Sequence, residues 1–408
     1  MKVLLVSGSL PDVRCGIGDY TARLASQLAT VPGITVQVLT TRKDVVRPEA
    51  VAPAQLLPPV ANWGLPSVIR VARRIGRLAP DVVHVQYPAV GYAKSLGVLA
   101  LPLAVRWLAR VPVVLTIHER SERRWHGRLA TEFMALTSSR VVVPDPIEAG
   151  ALRRRLRVLG TRVDVAQMIS TIPISRDADP QAFRARLGLA PGELLVGTFG
   201  LIHPRRRLED LIDALVVLRR STPSHLVIVG GEADYDARNA ADYTATLKKK
   251  ISDLGLSASV TWLGYVGSAE VSAALQACDV AALLYREGAS ERNTTLQAAL
   301  EHGLPVVTTA GPATADSLLA TPNLHFVRAG AHTPADLAQA IRSAVRESPH
   351  PALPRERGRE LVSPAVPGEP ARELISSARL PEQVEWHLRL YRELAAAPVH
   401  LPTAGRPS

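Results

Sequence analysis

Short β-branched segments alternate with longer helical segments along this chain, and the alternation runs through the sequence twice. Such alternation predicts parallel strands joined by crossover helices, since a tight hairpin cannot connect a parallel pair. The first predicted set of strands is Val3 to Val6, Thr35 to Leu39, Val82 to Val85, Val113 to Thr116 and Val141 to Val143. The second set is Leu195 to Thr198, His225 to Val229, Val260 to Leu263, Val280 to Leu284, Pro305 to Thr308 and His325 to Val327. The predicted fold class is therefore α/β, with two doubly wound domains.

The boundary between the two sets is marked by a polar, proline-containing stretch, Ile174 to Pro180, which suits an interdomain linker. A short apolar strand is predicted before it, between Val163 and Pro173. We place an N-terminal domain at 1–175, a C-terminal domain at 176–380, and a final helix with a tail at 381–408. A chain of 408 residues fits two domains of ordinary size.

Cysteine usage and apolar runs indicate a cytoplasmic protein. Cys15 and Cys278 lie far apart, with no spacing typical of a zinc site or a disulfide framework. The N-terminal run, Met1 to Ser9, is too short for a signal peptide. The longest apolar stretch, Leu96 to Leu108, is interrupted by Pro102 and falls short of about 20 residues, so it predicts a buried helix.

The formal net charge of +11 comes largely from arginine and favours an anionic partner. Dense groups occur at Arg120 to Arg128, Arg153 to Arg162 and Arg205 to Arg207. No nucleic-acid partner is expected, because no basic stripe is interleaved with aromatics and no reading motif is present. Phosphate-bearing substrates or peripheral contact with an anionic membrane explain the charge equally well. A solvated, arginine-rich surface is the third alternative.

Function is expected in the loops at the carboxyl ends of the strands, where open parallel sheets bind ligands. The first such loop contains Gly16 and Gly18 ahead of a helix predicted to begin near Tyr20. Glycines allow close backbone approach to a ligand, and the helix start offers free amides to an anion. A plain turn is the alternative, since the full dinucleotide-binding glycine pattern is missing.

The second loop follows the strand ending at Thr198 and places Gly200 before three arginines, Arg205 to Arg207. Cations at the start of a helix oppose its dipole, so a bound diphosphate explains them better than helix stability does.

The third loop follows the strand ending at Leu284. Hydrogen-bond donors and helix-capping residues cluster there beside Arg292, namely Ser290, Asn293, Thr294 and Thr295. This composition predicts an anion site. An ordinary capped helix with solvated charges is the alternative.

Taken in order, a series of short motifs resembles the GT-B glycosyltransferases of the group-one family, also called glycosyltransferase family 4, over nearly the whole chain. The motifs are Cys15-Gly-Ile-Gly18, Pro80 to Gln86, Thr116-Ile-His-Glu119, Ile172-Pro-Ile174, Phe199 to Arg206, Leu263-Gly-Tyr265, Ala277-Cys-Asp279, Gly303 to Val307 and Trp386 to Leu394. Arg206 stands where the family usually has lysine.

The resemblance implies two Rossmann-like domains facing across a cleft. It further implies metal-independent, retaining transfer of a sugar from a nucleotide-diphosphate donor, without a cofactor, in cell-surface polysaccharide or glycolipid synthesis. The acceptor would be an unidentified saccharide, lipid-linked or small molecule, reached from the cytoplasm or from the inner face of the membrane.

The resemblance also implies roles for residues. The catalytic candidates are His118, Arg206 and Arg292. The donor-binding candidates are Gly200, His203, Arg205, Arg207, Gly264, Tyr265, Ser290, Asn293, Thr294 and Thr295. The acceptor-binding candidates are Gly16, Gly18 and Asp19.

One departure from the family concerns its two glutamates, separated by seven residues, whose positions are held by Ser290 and Ala298. Neighbouring Glu287, Glu291 and Glu301 are out of phase, because one residue rotates a helical side chain by about 100°. Some relatives carry a Ser-x-Arg-x-x-(Ser/Thr) variant that Ser290, Arg292 and Thr295 fit. The missing glutamates favour one alternative, a non-catalytic nucleotide-sugar-binding protein. A nucleotide-sugar epimerase is the other, because it shares this architecture, although it normally needs carboxylates near the sugar.

Overall fold

The structure is a computed structural model that describes residues 1–11, 13–41, 48–92, 95–119, 125–156, 162–232, 236–347 and 369–397, with the side chains of the last segment described from Glu382. Two compact units divide the chain. The first comprises Met1–Ile169 together with the segment from Leu380 onward, and the second comprises Ser170–Arg379.

The first unit is built on a parallel sheet of seven strands in the order β3-β2-β1-β4-β5-β6-β7. These are β1 (Lys2–Ser7), β2 (Thr35–Leu39), β3 (Gln55–Leu56), β4 (Val82–Tyr87), β5 (Val113–Ile117), β6 (Arg140–Val143) and β7 (Val163–Val165). Its helices are α1 (Gly16–Ala29), α2 (Leu65–Leu78), α3 (Leu101–Ala104), α4 (Trp125–Thr137) and α5 (Pro146–Leu156). The strand order reverses between β1 and β4, which gives this sheet a topological switch point.

The second unit repeats this plan with six parallel strands in the order β10-β9-β8-β11-β12-β13. These are β8 (Leu194–Phe199), β9 (Ser224–Val229), β10 (Val260–Gly264), β11 (Val280–Leu283), β12 (Val306–Ala310) and β13 (Leu324–Arg328). The helices after the first unit are α6 (Pro180–Arg186), α7 (Leu208–Arg219), α8 (Ala237–Asp253), α9 (Ser268–Ala277), α10 (Thr294–Glu301), α11 (Asp316–Leu319), α12 (Pro334–Glu347) and α13 (Glu369–Ala396). The switch point lies between β8 and β11.

Each sheet is covered on both faces, which is why its strands are continuous apolar runs rather than alternating ones. In the first unit, alternate residues of β1 enter separate clusters: Leu4 and Val6 one, Val3 and Leu5 the other. The end of α13 adds Tyr391 to the second of these clusters. The predicted α/β class with two doubly wound domains is confirmed.

Several predicted elements were wrong in their limits. The stretch from Leu96 to Leu108 is not one buried helix. It is a 3₁₀ turn (Leu96–Ala100), the short α3, and a π turn (Val105–Ala109), because Pro102 lacks an N–H and fits only at a helix start. The strand expected from Val163 ends at Val165. Among the described residues, no helix combines the length and apolarity needed to cross a bilayer.

The helix limits differ at two other places. Helix α1 begins at Gly16 rather than near Tyr20, and α13 begins at Glu369 rather than at Pro381. The proline-rich segment predicted as a loop, 348–369, lies almost wholly outside the described residues.

Candidate functional site

The two loops that flank the switch point of the second unit are joined to each other. The loop after β8 contributes Arg205, whose carbonyl oxygen accepts a hydrogen bond from the backbone N–H of Arg286 in the loop after β11 (3.0 Å). A small pocket opens at this edge of the sheet and is lined by Phe199, Gly200, Arg206 and Leu284 among others. The geometry therefore brings together the second and third loops predicted from the sequence.

The guanidinium of Arg206 is held at the centre of this junction. Its Nη1 donates to Oγ1 of Thr295 (3.1 Å), and its Cζ lies 4.7 Å from the ring centroid of Tyr285. The Tyr285 hydroxyl also hydrogen-bonds Thr295 Oγ1 (2.9 Å). Because Thr295 lies in the first turn of α10, a cation is fixed beside the positive end of a helix dipole. That arrangement favours an anion.

Glycines at the ends of β8, β9 and β10 make the approach to Arg206 sterically open. Gly200 has φ +133°, and a Cβ there would lie 2.8 Å from Nη2 of Arg206. Gly230 has φ +144°, and its Cβ would lie 1.9 Å from the carbonyl oxygen of Gly200. Gly264 has φ +72° and accepts a hydrogen bond from the Gly230 N–H (2.9 Å). Only glycine fits the first two positions.

The other candidates in the second loop have structural partners of their own. His203 caps the 3₁₀ turn Pro204–Arg206, since its Nδ1 accepts from the Arg205 N–H and its Nε2 donates to Asp236 (3.0 Å). Arg207 binds Asp210 through two hydrogen bonds of 2.9 Å each. Its positive charge is thus balanced within α7, whereas the Arg205 side chain is exposed.

Helix α10, which follows the third loop, begins without the side-chain capping that the sequence predicted. Asn293 occupies the N-cap position, yet its side chain accepts from the Ser290 N–H (2.8 Å) and caps no amide of α10. Ser290 is buried, and its hydroxyl accepts from the Arg292 N–H (3.3 Å). The expectation of side-chain capping was therefore wrong, and the amides that begin α10 at Thr294 receive no cap from any side chain that the structure describes.

Sequence reasoning missed Tyr285 and Gly230 as parts of this site. Glu291 is buried; its Oε1 accepts from the Ser317 hydroxyl (2.6 Å), while its Oε2 has no hydrogen-bond partner among the described residues. The glycine following β9 carried a usable signal, because it ends an apolar strand as Gly200 does. Tyr265, at the end of β10, is half exposed. Within the described ranges, no three acidic, histidine or cysteine side chains are grouped so as to hold a metal ion.

In the first unit, His118 directly follows β5 and is buried. Its backbone N–H donates to the Tyr87 carbonyl (2.8 Å), and its Nε2 donates to Oε1 of Gln86 (2.8 Å). Its ring meets the Tyr20 ring edge-on at 5.1 Å. Burial lowers the pKa of His118 to about 3, so the imidazole is neutral near pH 7 and offers hydrogen bonds rather than charge.

The predicted acceptor residues lie in the first turn of α1, not in a loop ahead of it. Gly18 is needed for packing, because a Cβ there would lie 2.9 Å from the carbonyl oxygen of Leu10. Gly16 is exposed, with no atom within 4 Å of such a Cβ. Asp19 is half-buried, and burial raises the pKa of its carboxyl group to about 7.

Two family models match the chain. The one described as Glycosyltransferase Family 4 matches residues 15–167, and the one described as Glycosyl transferases group 1 matches residues 193–347. Each falls within one structural unit, and together they cover about three quarters of the sequence.

The curated relatives share only about a quarter of their aligned residues with this chain. The chain is 26% identical over 298 residues to the D-inositol 3-phosphate glycosyltransferase of Stackebrandtia nassauensis, a match that covers 65% of each chain. It is 24% identical over 268 residues to the alpha-monoglucosyldiacylglycerol synthase of Acholeplasma laidlawii, covering 59% of this chain and 61% of the relative. The chain thus spans slightly less than two thirds of the length of these relatives.

Solved structures share the fold along nearly all of the chain. The structure of HepE from Anabaena in complex with UDP and glucose is similar with a TM-score of 0.70 at 17% identity, covering 96% of this chain and all of that one. WaaG, a glycosyltransferase involved in lipopolysaccharide biosynthesis, is similar with a TM-score of 0.60 at 14% identity, covering 99% of this chain and 100% of that one. The similarity confirms the fold class of two Rossmann-like domains.

Proposed function

Since this chain belongs to the group-one glycosyltransferases, also called glycosyltransferase family 4, we propose that it transfers a sugar from a nucleoside diphosphate donor to an acceptor. The donor diphosphate binds the second unit, at the loops after β8 and β11. The acceptor is recognised by the first unit, where Gly16 and Asp19 begin α1. Anomeric configuration is retained, and no metal ion or other cofactor takes part.

The observation that carries the proposal is the position of Arg206. Its guanidinium is fixed by Thr295 and Tyr285 beside the uncapped start of α10, and Gly200 leaves space in front of it. Departure of a nucleoside diphosphate builds negative charge on its phosphates, which a fixed cation and a helix start stabilise without reorganisation. The same two groups would do in this chain what a divalent cation does in metal-dependent transfer.

The other candidate residues have supporting roles in this proposal. His203 positions Arg206 by capping the turn that contains it, and Arg292, assigned from the sequence pattern, supplies a second cation from the third loop. Neutral His118, whose Nε2 donates to Gln86, leaves Nδ1 to accept a hydrogen bond from a substrate hydroxyl without adding charge. A carboxyl group with a pKa of about 7, such as that of Asp19, can accept a proton from an acceptor hydroxyl near neutral pH.

Two curated relatives support a choice of acceptor class. One is named for an inositol phosphate and the other for a glucosyldiacylglycerol, so a phosphorylated polyol or a lipid is the class of acceptor we propose. A lipid acceptor is consistent with a role of the protein in glycolipid or cell-surface polysaccharide synthesis at the inner face of the membrane.

A thermal-shift titration tests the donor site. UDP, GDP, ADP and their glucose conjugates are added to the full chain in EDTA and again in Mg²⁺, because a ligand that binds only the native state raises the melting temperature. At least one nucleotide should stabilise the protein equally in both buffers. Arg206→Ala should remove the shift, whereas Arg346→Ala, at an exposed position of α12, should keep it.

Four outcomes would contradict the proposal in different ways. A shift that persists in Arg206→Ala places the diphosphate elsewhere, and one that needs Mg²⁺ refutes metal independence. A shift without transfer to any inositol phosphate or diacylglycerol acceptor favours a non-catalytic nucleotide-sugar-binding protein. Isomerisation of the donor sugar with no acceptor present identifies an epimerase.

A further inference from the structure

Helix α4 exposes an apolar face to solvent. Trp125, Leu129, Phe133 and Leu136 are 73%, 50%, 45% and 36% exposed. At about 100° per residue these four side chains fall within an arc of roughly 80° on one side of the helix. The opposite side, which includes Met134 and Ala135, is buried in the core of the first unit. Both sides of α4 are therefore apolar, and only one is covered by this chain.

Exposed apolar side chains are concentrated around this helix rather than scattered. Of the 13 large hydrophobic residues exposed among the described ones, 8 fall between residues 96 and 147. Leu96, 80% exposed, lies on the 3₁₀ turn that packs against α4, and Ile147 lies on α5, which also packs against it. Contiguous exposure of this kind marks an interaction surface, since isolated exposed leucines are common and need no explanation.

The exposed charged side chains on α4, on α5 and on the described residues just before α4 are of one sign. In the described stretches 95–119 and 125–156, the exposed charged residues are Arg110, Arg128, Arg153, Arg154 and Arg155. None of the acidic residues in those stretches is exposed. Glu132, which lies on α4 itself, is buried and paired with Arg155 (2.8 Å). A protein partner could be acidic or neutral, but an apolar stripe with a tryptophan and a purely cationic border is complementary to anionic lipid.

We propose that the face of α4 formed by Trp125, Leu129, Phe133 and Leu136 docks on a membrane surface rich in anionic lipid. The apolar side chains enter the headgroup boundary, and the arginines of α4 and α5 contact lipid phosphates. Docking extends the proposed function on the acceptor side, because it would bring the first unit to a lipid acceptor. The contact itself depends on no feature of the donor site.

Co-sedimentation of the full chain with vesicles tests the surface. Phosphatidylcholine vesicles are compared with and without phosphatidylglycerol. The wild type should bind the anionic vesicles and not the neutral ones. The double variant Leu129→Ser with Phe133→Ser should bind at least about tenfold more weakly, because two half-exposed apolar side chains no longer enter the lipid.

The matched control is Leu254→Ser with Leu319→Ser, two leucines of the second unit that are 42% and 48% exposed, and it should bind as the wild type does. All proteins are checked for an unchanged melting temperature. Undiminished binding of the α4 variant, or wild-type binding that ignores phosphatidylglycerol, overturns the proposal. The proposal is also overturned if the wild type is a dimer, the α4 variant is a monomer, and neither binds vesicles. A second copy of the chain would then cover the face. Nucleotide-induced thermal shifts without vesicles report separately on the donor site.

Discussion

Replacing Gly200 by alanine probes how closely the backbone must approach Arg206. The residue has φ +133°, a conformation that side chains other than glycine rarely adopt. The new Cβ would also lie 2.8 Å from Nη2 of Arg206 and 3.0 Å from Cγ2 of Thr295. The substitution therefore strains the backbone and pushes the guanidinium away from Thr295, its hydrogen-bond partner at the start of α10.

Two magnitudes follow from this geometry. Backbone strain in such a region costs about 1–3 kcal/mol, which in a domain of this size lowers the melting temperature by roughly 2–12 °C. Displacing a charged hydrogen-bond donor removes about 1.5–3 kcal/mol from binding of a diphosphate, or roughly 10-fold to 100-fold in affinity.

Calorimetric titration with the nucleotide that gives the largest thermal shift measures the loss of affinity. Thermal unfolding followed by circular dichroism measures the loss of stability. Gly267→Ala is the control, because Gly267 has φ −67° and no atom lies within 4 Å of the added Cβ. It should cost less than about 1 kcal/mol and leave nucleotide affinity unchanged. If Gly200→Ala binds nucleotide as tightly as the wild type, the position of Arg206 does not determine donor binding.

Two further predictions concern stability. Asp279 is buried, accepts from the Leu195 N–H (2.7 Å) and pairs with Arg184 (3.1 Å), so Asp279→Asn should cost about 3–5 kcal/mol in urea unfolding. Exposed Asp177→Asn should cost almost nothing, and equal losses in the two would refute the pairing argument. Burial lowers the pKa of His118 to about 3 and that of His387 to about 4. Because the unfolded chain binds these protons near pH 6.5, stability should fall as pH drops from about 6.5 to 5, by up to about 1.4 kcal/mol per pH unit for each histidine. Urea midpoints should show a shallower fall in His387→Gln, and parallel curves would contradict this assignment.

The local sequence was sufficient for the fold class and for part of the donor site. Continuous apolar strands alternating with helices have few ways to bury both faces of a sheet, and parallel doubly wound sheets are the outcome. Gly200 and Arg206 were predictable from local sequence, since Gly200 follows a strand directly and Arg206 stands just before a helix. Limits of elements were less predictable, as the division of the Leu96 to Leu108 stretch at Pro102 demonstrates.

Tertiary packing decided which of the predicted side chains are available to bind a ligand. Arg207 lies next to Arg206 in sequence, yet its charge is balanced by Asp210, while that of Arg206 is directed at Thr295. Tyr285 joined the site only because β8 and β11 are neighbours in the sheet, although their ends lie more than 80 residues apart.

The apolar face of α4 shows most clearly what the sequence determines and what packing determines. Its sequence is apolar at positions all around the helix, so periodicity alone cannot tell which side enters the core. The fold places Met134 inward and Phe133 outward. Sequence therefore determined where apolar and charged groups occur along the chain. Only the packing of distant segments determined which of them are covered, because burial depends on neighbours that no local pattern specifies.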